Sequence, residues 1–200
     1  MSSPLGVWTL LVAVLWIGYT VPARANVPDP TTSTCDTCIV ISPDGTGFQY
    51  RVIVRDDTSA PVIGATVNIH FNAVSGITLC SESDSDGDGV ISGVTDAQGI
   101  VDFDIYGGGA SVDLARVSSQ GATLCFARVK SPDLNGDLMV TSQDESDHSA
   151  LLTTDLSGDY NCNGVTDISD RAEITSRFGA ECTPVQVDAE TWGRVKSLYR

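Results

Sequence analysis

Oxygen-bearing side chains recur at a fixed spacing in the last third of this 200-residue chain. Asp133, Asn135, Asp137, Thr141 and Asp144 stand at positions 1, 3, 5, 9 and 12 of one twelve-residue stretch. Asp159, Asn161, Asn163, Asp167 and Asp170 hold the same positions in a second, 26 residues on. A loop with ligands so spaced wraps a hard divalent cation in oxygens, and Ca2+ is the ion expected. Asp167 would reach it directly or through water. Turns and helix caps explain a single Asp/Asn cluster well. They explain the repeated spacing poorly.

A third acidic stretch, Asp84-Ser85-Asp86-Gly87-Asp88-Gly89, repeats the first half of the pattern. Asp84, Asp86 and Asp88 are candidate ligands, with the Val90 carbonyl beside them. Position 12 is Thr95, and the nearest acid is Asp96. The alternative is an acidic hairpin without metal.

Helix-compatible segments follow the paired loops at 145–152 and 171–178, the second ended by Gly179. Upstream the periodicity is two. Phe48, Tyr50, Val52 and Val54 alternate with polar residues, as do Val67, Ile69 and Phe71, and Val101, Phe103 and Ile105. Such alternation predicts half-buried antiparallel strands. Turn signals separate them at 42–45, 96–99, 107–109 and 119–121. About seven strands at this spacing predict a β-sandwich of immunoglobulin-like size. The expected fold is therefore mainly β: an Ig-like β-sandwich over 38–130, after a linker at 26–37. A small α-helical module with two calcium loops over 131–182 and a tail at 183–200 complete it.

The paired loop-helix arrangement over 133–179 resembles the type I dockerin, a bacterial extracellular docking module with EF-hand-like loops. The resemblance implies calcium-dependent folding and docking to a cohesin-like or other extracellular protein domain. It also implies association with polysaccharide breakdown, since dockerins ride on glycoside hydrolases. Loop one departs from the pattern with Leu138 where Gly makes the sharp turn, and loop two with Asn163 where Asp is commoner. In that family positions 10 and 11 help select the partner; here they are Ser142 and Gln143, then Ile168 and Ser169. The run Pro61-Val62-Ile63-Gly64-Ala65-Thr66-Val67, with Thr95-Asp96-Ala97-Gln98-Gly99, is similar to invasin-type bacterial Ig-like domains and to the carboxypeptidase regulatory-like sandwich. That likeness implies a stalk, spacer or adhesion module.

Residues 7–19 are almost wholly apolar, and Ala23-Arg24-Ala25 precedes Asn26 as a small-x-small cleavage site. The reading is a cleaved secretory signal at 1–25. The run is short for a membrane span, which needs about 20 residues. A secreted or cell-surface bacterial protein is expected. All six cysteines, Cys35, Cys38, Cys80, Cys125, Cys162 and Cys182, lie beyond that cut. They suit disulfides in an oxidising compartment, among 15 pairings that sequence does not resolve. The most local choice pairs Cys35 with Cys38, Cys80 with Cys125, and Cys162 with Cys182. Zinc at Cys35-x-x-Cys38 would lack a second ligand pair. The net charge is −15, and removing 1–25 takes away only Arg24, leaving ten cations against 26 anions, or −16. Such a surface disfavours nucleic acid and anionic lipid.

No enzyme is expected. The two histidines, His70 and His148, are flanked by no Gly-x-Ser-x-Gly elbow or His-Glu-x-x-His motif. Gly107-Gly108-Gly109 lacks the Lys and helix of a phosphate loop. The expected role is calcium-dependent docking of the sandwich. The alternatives are a purely structural calcium-stiffened surface protein and a non-catalytic carbohydrate-binding auxiliary, for which Tyr106 is the clearest aromatic. Trp192, Val195, Leu198 and Tyr199, with Arg194, Lys196 and Arg200, form a short basic amphipathic tail.

Overall fold

The computed structural model describes residues 26–152 and 155–184. The expected signal segment and the tail beyond Pro184 lie outside the described residues. Ten strands come first: β1 (Thr34–Cys35), β2 (Cys38–Val40), β3 (Gln49–Ile53), β4 (Thr66–His70), β5 (Ile77–Leu79), β6 (Val90–Val94), β7 (Ile100–Asp104), β8 (Gly107–Gly109), β9 (Leu114–Ser119) and β10 (Ala122–Lys130). Two helices follow, α1 (Ser142–Leu151) and α2 (Ile168–Ser176), with a 3-10 turn at Leu156–Gly158 between them. The chain is mainly β, as its periodicity predicts.

The strands form a three-stranded sheet β1-β3-β7, a five-stranded sheet β2-β10-β9-β4-β6, and a small β5-β8 pair. Period-two burial decides how they face. Tyr50 and Val52 of β3 and Val101 and Phe103 of β7 point inward from one sheet. Val67 and Ile69 of β4, Val117 of β9, and Ala127 and Val129 of β10 meet them from the other in one apolar core. Each Val, Ile and Phe among them stabilises the fold by roughly 1.5–3 kcal/mol on burial. His70, on the polar phase of β4, is half-buried, with Nε2 2.8 Å from Ser118 Oγ.

Three expectations are corrected. Segment 26–37 is more than a linker, because β1 within it pairs antiparallel with β3. Gly107–Gly109 is a buried strand rather than a turn. Its glycines are required by close approach: a Cβ on Gly108 would lie 1.8 Å from Asp133 Oδ2. The local cysteine pairing is also wrong. The disulfides are Cys35–Cys125, Cys38–Cys162 and Cys80–Cys182. The first joins the two sheets. The other two cross from the β body to the loop-and-helix half.

That half has a small core of its own. Val140, Tyr160 and Ile174 close over Val40 of β2, flanked by Phe48 and Ala180. Each helix starts three residues earlier than its hydropathy suggested. The residue at loop position 9, Thr141 or Asp167, is the N-cap, and Asp144 or Asp170 completes a capping box. Arg177, just past α2, stacks 4.1 Å over the Phe48 ring and pairs with Glu173 at 3.5 Å.

Candidate metal loops

The three acidic loops share one backbone design. In loop one the Asp133 carboxylate accepts from the N–H of Gly136 at 2.9 Å and of Leu138 at 2.8 Å. In loop two Asp159 accepts from Asn163 and Gly164, both at 3.0 Å. In the third loop Asp84 accepts from Gly87 and Gly89, both at 2.9 Å. Turning that many amide N–H groups onto one carboxylate needs left-handed backbone at positions 4 and 6. Those positions are Gly136 and Leu138, Cys162 and Gly164, and Gly87 and Gly89. Leu138 (φ 66°) and Cys162 (φ 57°) are the costly ones, at roughly 1–2 kcal/mol each. Burial of the Leu138 side chain and the Cys38–Cys162 bond hold them there.

Loops one and two also close alike at position 12. Asp144 Oδ1 accepts from Leu134 N at 2.9 Å and Oδ2 from Thr141 N at 2.8 Å. Asp170 Oδ1 accepts from Tyr160 N at 2.8 Å and Oδ2 from Asp167 N at 2.9 Å. At position 3, Asn135 and Asn161 each accept from the N–H two residues on. At position 5, Asp137 and Asn163 do the same. The four carboxylates at positions 1 and 12, Asp133, Asp144, Asp159 and Asp170, are at most 2% exposed. Asp167 is instead spent on the cap, accepting from Ser169 N at 2.8 Å.

Comparison with family models, with curated proteins and with solved structures finds no match. The chemistry of the loops therefore rests on their own geometry.

The third loop gathers its acids most tightly: one oxygen from each of Asp84, Asp86 and Asp88 lies within 4.8 Å of the others, and this cluster can hold a metal ion. The residues at position 12 and next to it are engaged elsewhere. Thr95 Oγ1 donates to Val62 O at 2.6 Å and accepts from Ala65 N at 2.9 Å. Asp96 Oδ1 accepts from Gln98 and Ile100 in the β6–β7 turn. A cleft of about 420 Å³ opens beside this loop, lined in part by Phe71, Val74, Leu79, Asp84 and Asp88. Tyr106, the clearest aromatic for the carbohydrate-binding alternative, is half-buried, with its ring against Gly45.

Electrostatics separate loop one from loop two. Burial pushes the Asp133 carboxyl up to about 6; the neighbouring Asp144 and Asp137 charges add to this, against the opposing N–H bonds of Leu138 and Gly136. Among the described residues no Lys or Arg pairs with a loop-one carboxylate. In loop two, Lys130 at the end of β10 places its buried Nζ 2.8 Å from Asp159 Oδ2 and 2.7 Å from Asp159 O. Between the loops, the buried Tyr160 hydroxyl has no hydrogen-bond partner. Burial raises its pKa, and the charges of Asp144, Asp170 and Asp133 add to the rise. Asp133, buried among like charges with no cationic partner, is the carboxylate whose charge a divalent cation would offset.

Sequence reasoning found the carboxylates and missed three partners. Lys130 follows the apolar run of β10 and carries no motif. Gly108 was visible only as part of a glycine run. The cross-links were visible as cysteines but not as pairs.

Proposed function

We propose that this is an extracellular, non-enzymatic calcium-binding protein in which cation-filled loops stiffen one rigid body made of an Ig-like sandwich and a dockerin-like half. The observation that carries the reading is the join. Cys38–Cys162 fastens loop two to β2, and Cys80–Cys182 fastens the segment after α2 to the end of β5. Lys130 and Asp159 form a buried ion pair across the same boundary. A module meant to swing independently would not be tied at three places. The three disulfides are compatible with an extracellular setting. No helix among the described residues is long and apolar enough to cross a membrane. The test is thermal melting of the oxidised chain with calcium and with EDTA. A single cooperative transition raised by calcium supports the reading. Two separated transitions, or no response to calcium, count against it.

A second reading is docking of a cohesin-like partner. Ile168, at the position where the dockerin resemblance places partner selection, is 76% exposed, and Val165 beside it is 50% exposed. Calcium-dependent capture of a cohesin-like domain, lost in Ile168→Asp, would favour docking over pure stiffening.

A further inference from the structure

We infer that the two paired loops are unequal: Lys130 gives loop two a resident cation, so that loop two keeps its shape without metal and loop one is the tighter, metal-dependent site. The inference rests on the calcium reading above and deepens it.

The loops match in nearly every hydrogen bond, so the differences between them are few and local. Each has three side-chain carboxylates: Asp133, Asp137 and Asp144 in loop one, Asp159, Asp167 and Asp170 in loop two. In loop one none of the three meets a positively charged side chain among the described residues. In loop two the position-1 carboxylate already accepts the Lys130 ammonium, and so does its own carbonyl. Lys130 is 3% exposed, so little water screens that charge. A divalent ion entering loop two must share Asp159 with a cation that cannot leave without breaking two buried hydrogen bonds. Like charges a few ångströms apart repel more strongly in a poorly solvated site than in water.

Two other features point the same way. Loop two has Asn163 at position 5 where loop one has Asp137, which lowers the negative charge facing an ion. Loop two is also clamped at position 4 by Cys38–Cys162. Loop one carries no disulfide within its twelve residues. Its shape rests on N–H bonds to Asp133 and Asp144, set against the mutual repulsion of Asp133, Asp137 and Asp144 that a metal ion would relieve.

The experiment is calcium calorimetry on the full oxidised chain and on three variants. Asp137→Ala and Asn163→Ala truncate the exposed position-5 ligand of loop one and loop two in turn, and neither touches the core. The expected result is that Asp137→Ala weakens the tighter binding event at least 10-fold, while Asn163→Ala leaves it within about 2-fold. Lys130→Met is expected to strengthen the weaker event at least 10-fold, a gain that a further Asn163→Ala removes. If Lys130→Met does not fold, the two exposed variants carry the test alone. Equal losses from Asp137→Ala and Asn163→Ala, or a larger loss from Asn163→Ala, overturn this inference while the calcium reading stands. No calcium binding by the unaltered chain overturns both.

Discussion

The β body and the loop half solve the same problem with opposite materials. The β body buries Ile39, Val52, Val54, Val67, Ile69 and Val117 in one apolar core between two sheets. The loop half has a core of Val40, Val140, Tyr160 and Ile174 and buries four aspartates beside it. Those carboxylates organise the backbone by accepting amide N–H groups, which is local order gained at the cost of buried like charge. The contrast teaches where order comes from: apolar area in one half, and cross-links plus buried carboxylates bonded to backbone N–H groups in the other.

The largest break should come from the cross-links. Cys38–Cys162 and Cys80–Cys182 close separations of 124 and 102 residues, and loops of that size are worth about 4–5 kcal/mol each by chain entropy. Paired Cys→Ser variants should release the loop half in EDTA and leave the β core folded apart from lost tethering. Near-UV circular dichroism of Tyr160 against protease sensitivity of α2 would show it. Next comes the apolar side. Ile69→Ala, at a fully buried site, should cost roughly 2–5 kcal/mol in chemical denaturation, by the same amount with calcium or EDTA. Asp144→Asn should cost less in EDTA, about 1–3 kcal/mol from weakened backbone bonds, and should abolish most of the calcium-induced rise in melting temperature.

A smaller effect follows from Asp133. Its folded pKa, about 6, lies above the ordinary 3.8, so the calcium-free fold binds its proton more tightly than the unfolded chain does. The penalty for ionising it is absent below 3.8, grows between 3.8 and about 6, and is complete above that. Calcium-free protein should therefore gain a contribution to stability as pH falls from 7 toward 5, and Asp133→Asn should lose that pH dependence. The smallest effect belongs to Arg51–Asp102, an exposed bidentate pair between β3 and β7 at 2.7 and 2.9 Å. Arg51 holds the Asp102 carboxyl below its usual range. Asp102→Asn should barely move the melting temperature, and the difference should vanish in high salt.

Much of this contrast was legible in the sequence, and the reasons differ between halves. Period-two burial is a local property, so Val67, Ile69, Val101 and Phe103 declared β4 and β7 directly. Oxygen side chains at fixed offsets are equally local, and spacing alone singled out Asp133, Asp144, Asp159 and Asp170, which the fold buries. Pairings between distant segments leave no local trace. Nothing near Cys38 points to Cys162, and a local bond to Cys35 looked cheaper until β1 and β2 were seen in different sheets. Lys130 was hidden for the same reason, because its partner lies 29 residues away. Asp96 stands in the turn that its sequence predicted, accepting from Gln98 and Ile100.

The most direct test of the central claim is a calcium titration of the oxidised chain from Asn26 onward, by calorimetry with thermal melting in parallel. Saturable binding is expected, with one event tighter than the rest and a rise in melting temperature that EDTA reverses. An absence of heat and of any melting shift at millimolar calcium would contradict it, leaving the buried aspartates as structural acceptors of backbone N–H groups alone.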